Sequence, residues 1–125
     1  MNRQEKDLWR LVKPHLPGEV ERIENLVGAG VPDVSGVDGH DYWIELKVCR
    51  TKKFKPPLEM CEPLQVQWHA RRVAAGSVVF VMIRHGDNIS LWWCDTPRTY
   101  RRVWEDSKPY NWGLMVEEIT TAVRR

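Results

Sequence analysis

The sequence predicts one α/β domain over residues 1–125, with four helices and four strands. Three observations carry this prediction. The chain has 125 residues, enough for one hydrophobic core but not for a second domain. Segments with helical and strand periodicity follow the order helix, helix, two strands, helix, two strands, helix. The run from Ser77 to Ile83 is almost continuously apolar and rich in β-branched residues, which is typical of a central, buried strand.

Two helices are predicted at the start of the chain. Residues 3–13 place Leu8 and Val12 on one apolar face, and Pro14 interrupts this helix because proline has no backbone N–H. A second helix is predicted from about residue 18 to residue 26, because apolar residues recur there at helical spacing. The glycines that follow allow a sharp entry into the next strand.

A β-hairpin is predicted next, from Val31–Val37 and Tyr42–Val48. Asp38-Gly39 is typical of a two-residue turn, which would pair position 33 with position 44. Asp33 and Glu45 would then lie on opposite faces of the sheet, since a shift of one residue exchanges the faces. If the two acids share a face, position 33 must pair nearer position 45. The connection is then predicted to be a loop of three or five residues, or to contain a bulge.

The rest of the chain is predicted to contain one connecting loop, two helices and two strands. Proline and glycine set most of the boundaries. In order, these segments are a basic loop at 49–60, a helix from Pro63 to about Ala75 closed by Gly76, a strand at 77–83, a turn at His85–Asn88, a strand at 89–94, an irregular stretch at 95–111, and a helix at about 112–123.

Charge is distributed unevenly along the chain. The net charge is only +2, so the protein is not a polycation. Acidic residues dominate positions 19–45, and basic residues follow from Arg50 onward. An acidic centre with basic flanks suits a metal-dependent enzyme that acts on a polyanion, although ordinary solvated surface charge explains any single arginine equally well.

The cysteines and the pattern of apolar residues indicate in which cellular compartment the protein is expected. Cys49, Cys61 and Cys94 are odd in number and show no CxxC spacing, and the sequence shows no signal peptide. We therefore expect a reducing, cytoplasmic location, which would be the host cytoplasm if the chain is viral. The scattered histidines argue against structural zinc. No apolar run approaches the length of a membrane span.

The strand from Tyr42 to Val48 carries the most informative chemistry. Side chains alternate between faces along a strand, so Glu45 and Lys47 share one face while Ile44 and its apolar neighbours take the other. Charged side chains on a half-buried strand are costly unless something uses them. A hard divalent cation bound by Asp33 and Glu45, with Lys47 beside it, would be such a use.

The pattern Pro32-Asp33 followed by Glu45-Leu46-Lys47 resembles the PD-(D/E)XK nuclease superfamily. Two further segments match over residues 19 to 84: Glu24 stands where many members have a helical glutamate, and Gln65-Val66-Gln67-Trp68 is similar to the helix start of small phage-type VRR-NUC and Holliday-junction-resolvase-like members. The resemblance implies a restriction-endonuclease-like core, a mixed four-stranded sheet flanked by helices. It also implies divalent-metal-dependent cleavage of nucleic acid.

The resemblance implies a role for each matching residue. Mg²⁺ or Mn²⁺ would be bound by Asp33, Glu45 and the main-chain carbonyl of Leu46. Lys47 would orient the attacking water or stabilise charge in the transition state. The remaining candidates are Glu24, for a second metal or a bound water, and Gln65, for contact with lysine, water or phosphate; the alternatives are an acid on a helix surface and a plain helix N-terminal residue.

Candidate contacts with nucleic acid lie in the loop after the catalytic strand and on the following helix. The loop residues Arg50, Lys52, Lys53 and Lys55 are close enough to the site to bind backbone phosphates. His69 and Arg72 share a predicted polar stripe with Gln65 and are candidates for phosphate contact; plain helix surface is the alternative for each. Farther on, Tyr100 and Trp104 lie among arginines, where they would stack on bases or form a dimer interface.

The sequence as a whole predicts a metal-dependent endonuclease that acts on nucleic acid. DNA with a particular structure is the expected substrate, because no sequence-reading domain is visible. A homodimer is expected by analogy with the resembled enzymes. The alternative hypothesis is a non-catalytic nucleic-acid-binding or assembly module that has kept the nuclease fold. The presence of Asp33, Glu45 and Lys47 together favours the enzyme.

Overall fold

The computed structural model describes residues 1–23 and 30–125. The helices and strands are, in order, α1 (Arg3–Val12), a 3₁₀ turn (Lys13–His15), β1 (Glu19–Arg22), β2 (Val34–Val37), β3 (Asp41–Val48), α2 (Pro57–Met60), α3 (Pro63–Ala74), β4 (Val78–His85), β5 (Asn88–Thr96), β6 (Thr99–Asp106) and α4 (Trp112–Val123). Within these two ranges, no helix is both long and apolar enough to cross a membrane.

The strands form one mixed sheet in the order β1-β2-β3-β4-β5-β6. The central strands β3 and β4 are parallel, and every other neighbouring pair is antiparallel. The parallel connection runs through α2 and α3, as a crossover between parallel strands requires. The predicted α/β class and mixed sheet are confirmed, with six strands instead of four.

The two additional strands correct the sequence prediction at both edges of the sheet. The segment predicted as a helix from residue 18 begins as β1, whose Glu19 pairs with Val37 and whose Arg22 pairs with Val34. Its exposure alternates with a period of two, so edge pairing overrides a weak helical pattern. The last part of that predicted helix, including Glu24, lies outside the described residues.

The stretch 95–111, predicted to be irregular, contains β6. A tight turn joins it to β5, with Arg98 at φ 64°. An edge strand exposes many of its side chains, and arginines replace the apolar alternation that identifies strands in a sequence. Trp104 of this strand is buried in the core beside Trp112, so the prediction that it stacks on bases is wrong.

Helices cover both faces of the sheet. The main core lies between one face and the pair α1 and α4; its members include Leu8, Val12, Ile44, Leu46, Phe80, Met82, Met115 and Ile119. The helix α3 covers the other face, where Trp68 and Val66 pack over strands β4 and β5. The strand β3 contributes to both layers, because its successive side chains point in opposite directions.

The β2–β3 hairpin has the register that places Asp33 beside Glu45. Val34 pairs with Ile44 and Val37 pairs with Asp41, so three residues form the connection. Continued by one residue, this register sets position 33 opposite position 45. Of the predicted alternatives, a loop of three or five residues or a bulge, the structure has the three-residue loop, and the two-residue turn suggested by Asp38-Gly39 does not form.

Candidate functional site

Asp33 is held at the end of the β2–β3 ladder by a backbone donor. Its Oδ2 accepts a hydrogen bond from the Leu46 N–H at 2.9 Å. The segment before it is anchored at Gly30, which has a φ of 94° and lies against the Leu64 carbonyl at the start of α3. A Cβ atom at Gly30 would lie 2.4 Å from that carbonyl oxygen, so only glycine fits this contact without rearrangement.

Glu45 is buried on the face of β3 that α3 covers. Only 2% of it is exposed, whereas the half-buried Trp43 and Lys47 flank it on the same face. The apolar Ile44 and Leu46 point into the core on the other side. The predicted alternation along this strand is confirmed.

The carboxyl groups of Asp33 and Glu45 lie close enough for each to affect the pKa of the other. Burial raises the pKa of Asp33 to about 8, with a further contribution from the adjacent Glu45. Burial also raises the pKa of Glu45 to about 7, against the opposing charge of Lys47. A buried acid beside a half-buried one favours retention of a proton, which the two carboxyls would release to a cation that binds both.

His69 is fully buried beside this pair. Its Nε2 lies 3.8 Å from Glu45 Oε1, and its Nδ1 lies 2.7 Å from the Tyr100 hydroxyl. Within the described ranges, neither His69 Nε2 nor Glu45 Oε1 has a hydrogen-bond partner. Burial lowers the pKa of His69 to about 4, helped by the Lys47 charge, so the imidazole is neutral near pH 7.

The burial of His69 corrects its sequence assignment as a phosphate contact on the helix surface. The predicted stripe of Gln65, His69 and Arg72 does not exist, because His69 and its neighbour Trp68 point toward the sheet while Arg72 is exposed. The sequence held a weak signal for this inward position, since a histidine beside a buried tryptophan falls on the packed side of the helix.

Gln65 caps the helix α3. Its Oε1 accepts from the Glu62 N–H at 2.8 Å, and the Glu62 carboxylate in turn accepts from the Gln65 N–H. This arrangement matches the alternative offered for Gln65, a helix N-terminal residue. A role for Gln65 in the site stays a prediction, as does the role of Glu24, which lies outside the described residues.

Glu5 of α1 is an acid near the site that the sequence analysis did not select. Its charge is close enough to raise the pKa of Glu45, after the larger effect of burial. In the structure Glu5 forms a capping box with Asn2, which explains its position on the helix without a functional role. A capping motif gives no indication of which strand lies next to the helix end.

Arg72 forms a stacked group with two tryptophans on the site's face of the sheet. Its guanidinium lies 4.8 Å from the Trp68 ring and 5.9 Å from the Trp43 ring. The two rings contact each other edge to face, with their centroids 5.2 Å apart. Trp43 is two residues before Glu45 on β3, so this group borders the buried acids.

The loop after β3 is basic and borders a groove. Arg50, Lys52, Lys53 and Lys55 are all exposed. A groove of about 690 Å³ begins at Val48, one residue past Lys47; it is lined by the start of α1, by Arg50 and Lys52, and by Arg84 and His85 at the end of β4. His85 Nε2 lies 2.8 Å from the Thr51 carbonyl oxygen, a contact that ties the two walls together.

Among the described residues, few side chains near Asp33 and Glu45 could serve as further metal ligands. Within residues 1–23 and 30–125, no three histidine, cysteine, aspartate or glutamate side chains are grouped to hold a metal ion. The three cysteines are free and buried. The candidate ligand set is therefore two carboxylates and main-chain oxygen, a set that suits a hard cation better than zinc.

Comparison with known proteins identifies the fold but not a family. No protein-family model matches the chain, and no curated protein matches it. Among solved structures, Hjc, a Holliday junction resolvase from the archaeal hyperthermophile Archaeoglobus fulgidus, is similar with a TM-score of 0.54 at 15% sequence identity. The match covers 97% of this chain and 99% of that chain, so the two folds correspond over their whole length.

Proposed function

We propose that the protein is a divalent-metal-dependent endonuclease that hydrolyses phosphodiester bonds in DNA of a particular structure. The observation that carries the proposal is the buried Glu45 beside the half-buried Asp33, an arrangement in which Glu45 Oε1 has no hydrogen-bond partner among the described residues. Such a pair is costly to bury unless a cation satisfies it. The similarity in fold to a Holliday junction resolvase supports the same class of reaction.

The residues present fit Mg²⁺ or Mn²⁺. Asp33 and Glu45 would supply carboxylate oxygens, and Leu46 would supply its carbonyl oxygen. In a strand, the N–H and C=O of one residue point to the same side. Because the Leu46 N–H reaches Asp33 and the β2 ladder ends before it, the Leu46 carbonyl is directed to that side as well. A bound divalent cation supplies Lewis acidity and lowers the pKa of water.

Lys47 is suited to stabilise negative charge during the reaction. It lies on the same face as Glu45, and its charge lowers the pKa of both Asp33 and Glu45 against the effect of burial. We assign it the role of orienting water or neutralising charge on the phosphoryl oxygens. Glu24 and Gln65 remain candidates for holding a second metal or water and for contacting the substrate.

The DNA-binding surface would combine the basic loop with the groove beside it. The loop residues that follow the strand of the site would bind backbone phosphates; they are Arg50, Lys52, Lys53 and Lys55. Arg84 adds positive charge along the groove. Arg72, stacked on Trp43 and Trp68, offers a further phosphate contact. We include in this proposal that cleavage depends on the shape of the DNA, because the fold is similar to that of a Holliday junction resolvase.

A homodimer would bring two sites to a branched or duplex substrate, which offers two strands to cut. Sedimentation of the full chain, alone and with a four-way junction, would test this part directly. If the chain sediments as a monomer both alone and with the junction, the dimer is excluded. The chemistry proposed for a single site is unaffected by that result.

The main test is cleavage of plasmid, linear duplex and four-way-junction DNA with Mg²⁺, Mn²⁺, Ca²⁺ or chelator. We expect cleavage with Mg²⁺ and Mn²⁺, little with Ca²⁺ and none with chelator. Asp33→Asn and Glu45→Gln should each lower the rate by several orders of magnitude while DNA binding survives or tightens, because a ligand and a phosphate-repelling charge are lost together. Glu117→Gln, an exposed change of the same kind on α4, is the matched control.

Two results would contradict the proposal. Cleavage that persists after exhaustive chelation would exclude the metal mechanism. Cation-independent DNA binding without cleavage of any substrate, in protein that is folded, would instead support the non-catalytic module.

A further inference from the structure

The buried polar groups His69 and Tyr100 are not used by the mechanism above, and they lie directly behind Glu45. His69 is fully buried, and its Nε2 faces the equally buried Oε1 of Glu45 at 3.8 Å. Both atoms lack a hydrogen-bond partner within the described ranges. Native proteins leave few buried polar atoms unsatisfied, so two that face each other call for an explanation.

We propose that His69 is a positioning residue for Glu45: its Nε2–H holds Oε1 of the carboxylate, and the Tyr100 hydroxyl fixes the tautomer that makes this possible. The inference rests on the proposed function in that the positioned carboxylate is the one assigned to the cation. In this arrangement His69 of α3 and Tyr100 of β6 together orient the side chain of Glu45 on β3.

The gap between the two atoms is short enough to close. A distance of 3.8 Å is beyond a hydrogen bond, whose usual length is about 2.7–3.2 Å. A small rotation of the Glu45 side chain brings Oε1 within reach, and this single contact satisfies both unpartnered atoms. A charged carboxylate gains most from it, because a buried anion depends on donors to replace water.

The Tyr100 contact selects the hydrogen position on His69. A neutral imidazole carries one proton, so one ring nitrogen donates and the other accepts. If the Tyr100 hydroxyl donates to Nδ1 across their 2.7 Å contact, the proton sits on Nε2 and faces Glu45. The other tautomer would direct the Nε2 lone pair at a carboxylate oxygen, which is repulsive.

Holding one oxygen of Glu45 leaves the other free in a fixed direction. Hydrogen bonds to metal-binding side chains orient the ligand, and their removal costs about 10–100-fold in metal affinity in well-studied sites. Lys47 lies half-exposed two residues farther along the same strand, whereas His69 is fully buried against Oε1. The effect of His69 should therefore appear in cation binding before any step of cleavage.

The test compares Mn²⁺ binding to full-length variants by isothermal titration calorimetry, with no DNA present. His69→Leu removes the donor and should weaken Mn²⁺ binding about 10–100-fold. His69→Gln keeps an N–H at a similar reach and should restore affinity to within a few-fold of wild type. Tyr100→Phe should give an intermediate loss, and Gln67→Leu, an exposed change on the same helix, should give none.

A second measurement does not depend on a cation. Nitrogen-15 spectra of the His69 ring in the cation-free wild type should show a protonated Nε2 and an unprotonated Nδ1. A protonated Nδ1 would overturn the proposal, as would wild-type Mn²⁺ affinity in folded His69→Leu protein. If His69→Leu does not fold, Tyr100→Phe and the spectrum decide.

Failure of the proposed function gives a different result. Wild-type protein would then bind no Mn²⁺, while the spectrum would still report whether His69 presents its Nε2–H to Glu45.

Discussion

In the absence of divalent cations, we expect the free energy of unfolding to fall by about 2 kcal/mol as the pH is raised from 6.5 to 8. The cause is the pair formed by the buried Glu45 and the half-buried Asp33. In the unfolded chain both carboxyl groups titrate near their ordinary pKa values of 3.8 and 4.5, so both are ionised throughout this range. In the folded protein their pKa values are raised by burial to about 8 and about 7.

The sign follows from proton binding. Between pH 6.5 and 8 the folded protein holds more protons than the unfolded chain, so stability falls as the pH rises. One excess bound proton corresponds to about 1.4 kcal/mol per pH unit, and the folded pair holds on average roughly one proton more than the unfolded chain over these about 1.5 pH units, which gives about 2 kcal/mol. His69 acts in the opposite direction, since its pKa is lowered to about 4, but its effect is mostly complete by its ordinary pKa of 6.5.

The measurement is urea unfolding at a series of pH values in chelator and in excess Mn²⁺. Saturating Mn²⁺ should abolish the decline, because the cation replaces the shared proton and binds only the folded site. Asp33→Asn should flatten the curve without cation, whereas Glu117→Gln should leave it unchanged. A free energy of unfolding that stays constant from pH 6.5 to 8 in chelator would refute this prediction, since the pKa values of the two acids would then not be raised in the folded protein.

Lys47→Ala should lower the single-turnover cleavage rate while changing cation and DNA affinity only modestly, and equal single-turnover rates would remove Lys47 from the mechanism. Alanine at Lys52, Lys53 and Lys55 together should weaken DNA binding on all sequences and lower the slope of log affinity against log salt by about two to three; an unchanged slope in folded protein would place the loop away from DNA. Gly36→Ala should lower the unfolding free energy by about 1–3 kcal/mol in urea titrations, because its Cβ would lie 2.2 Å from the facing tyrosine ring. A loss below about 0.5 kcal/mol would mean that the ring moves aside freely.

The sequence was sufficient for the part of the site that lies on one strand. Alternation from Tyr42 to Val48 correctly separated Glu45 and Lys47 from the apolar core, because burial of one face is a strong and local constraint. The requirement that Asp33 share this face predicted a loop of three or five residues, or a bulge, in place of the two-residue turn, and the structure has the three-residue loop. Here a chemical argument gave the register that turn propensity alone would have assigned wrongly.

The sequence was insufficient where partners come from distant elements. His69 looked like helix surface, because its burial depends on α3 lying over β4 and β5 and on Tyr100 arriving from β6. The strand β6 was itself missed, since its arginines hide the alternation of an edge strand. The strand β1 at the other edge was missed because apolar residues at helical spacing predicted a helix there. Pairing with a neighbouring strand decides such segments, and it is not a property of the segment alone.

The two acids of the site are thus positioned by two different structural constraints. Glu45 is fixed by its own strand, which is central, parallel to β4 and buried. Asp33 directly precedes β2 and is placed in the site by the β2–β3 register and the N–H of Leu46. A one-residue slip of this hairpin would leave β3 and the core intact but carry Asp33 to the opposite face. The short loop between β2 and β3 is therefore as much a determinant of the site as the residues that compose it.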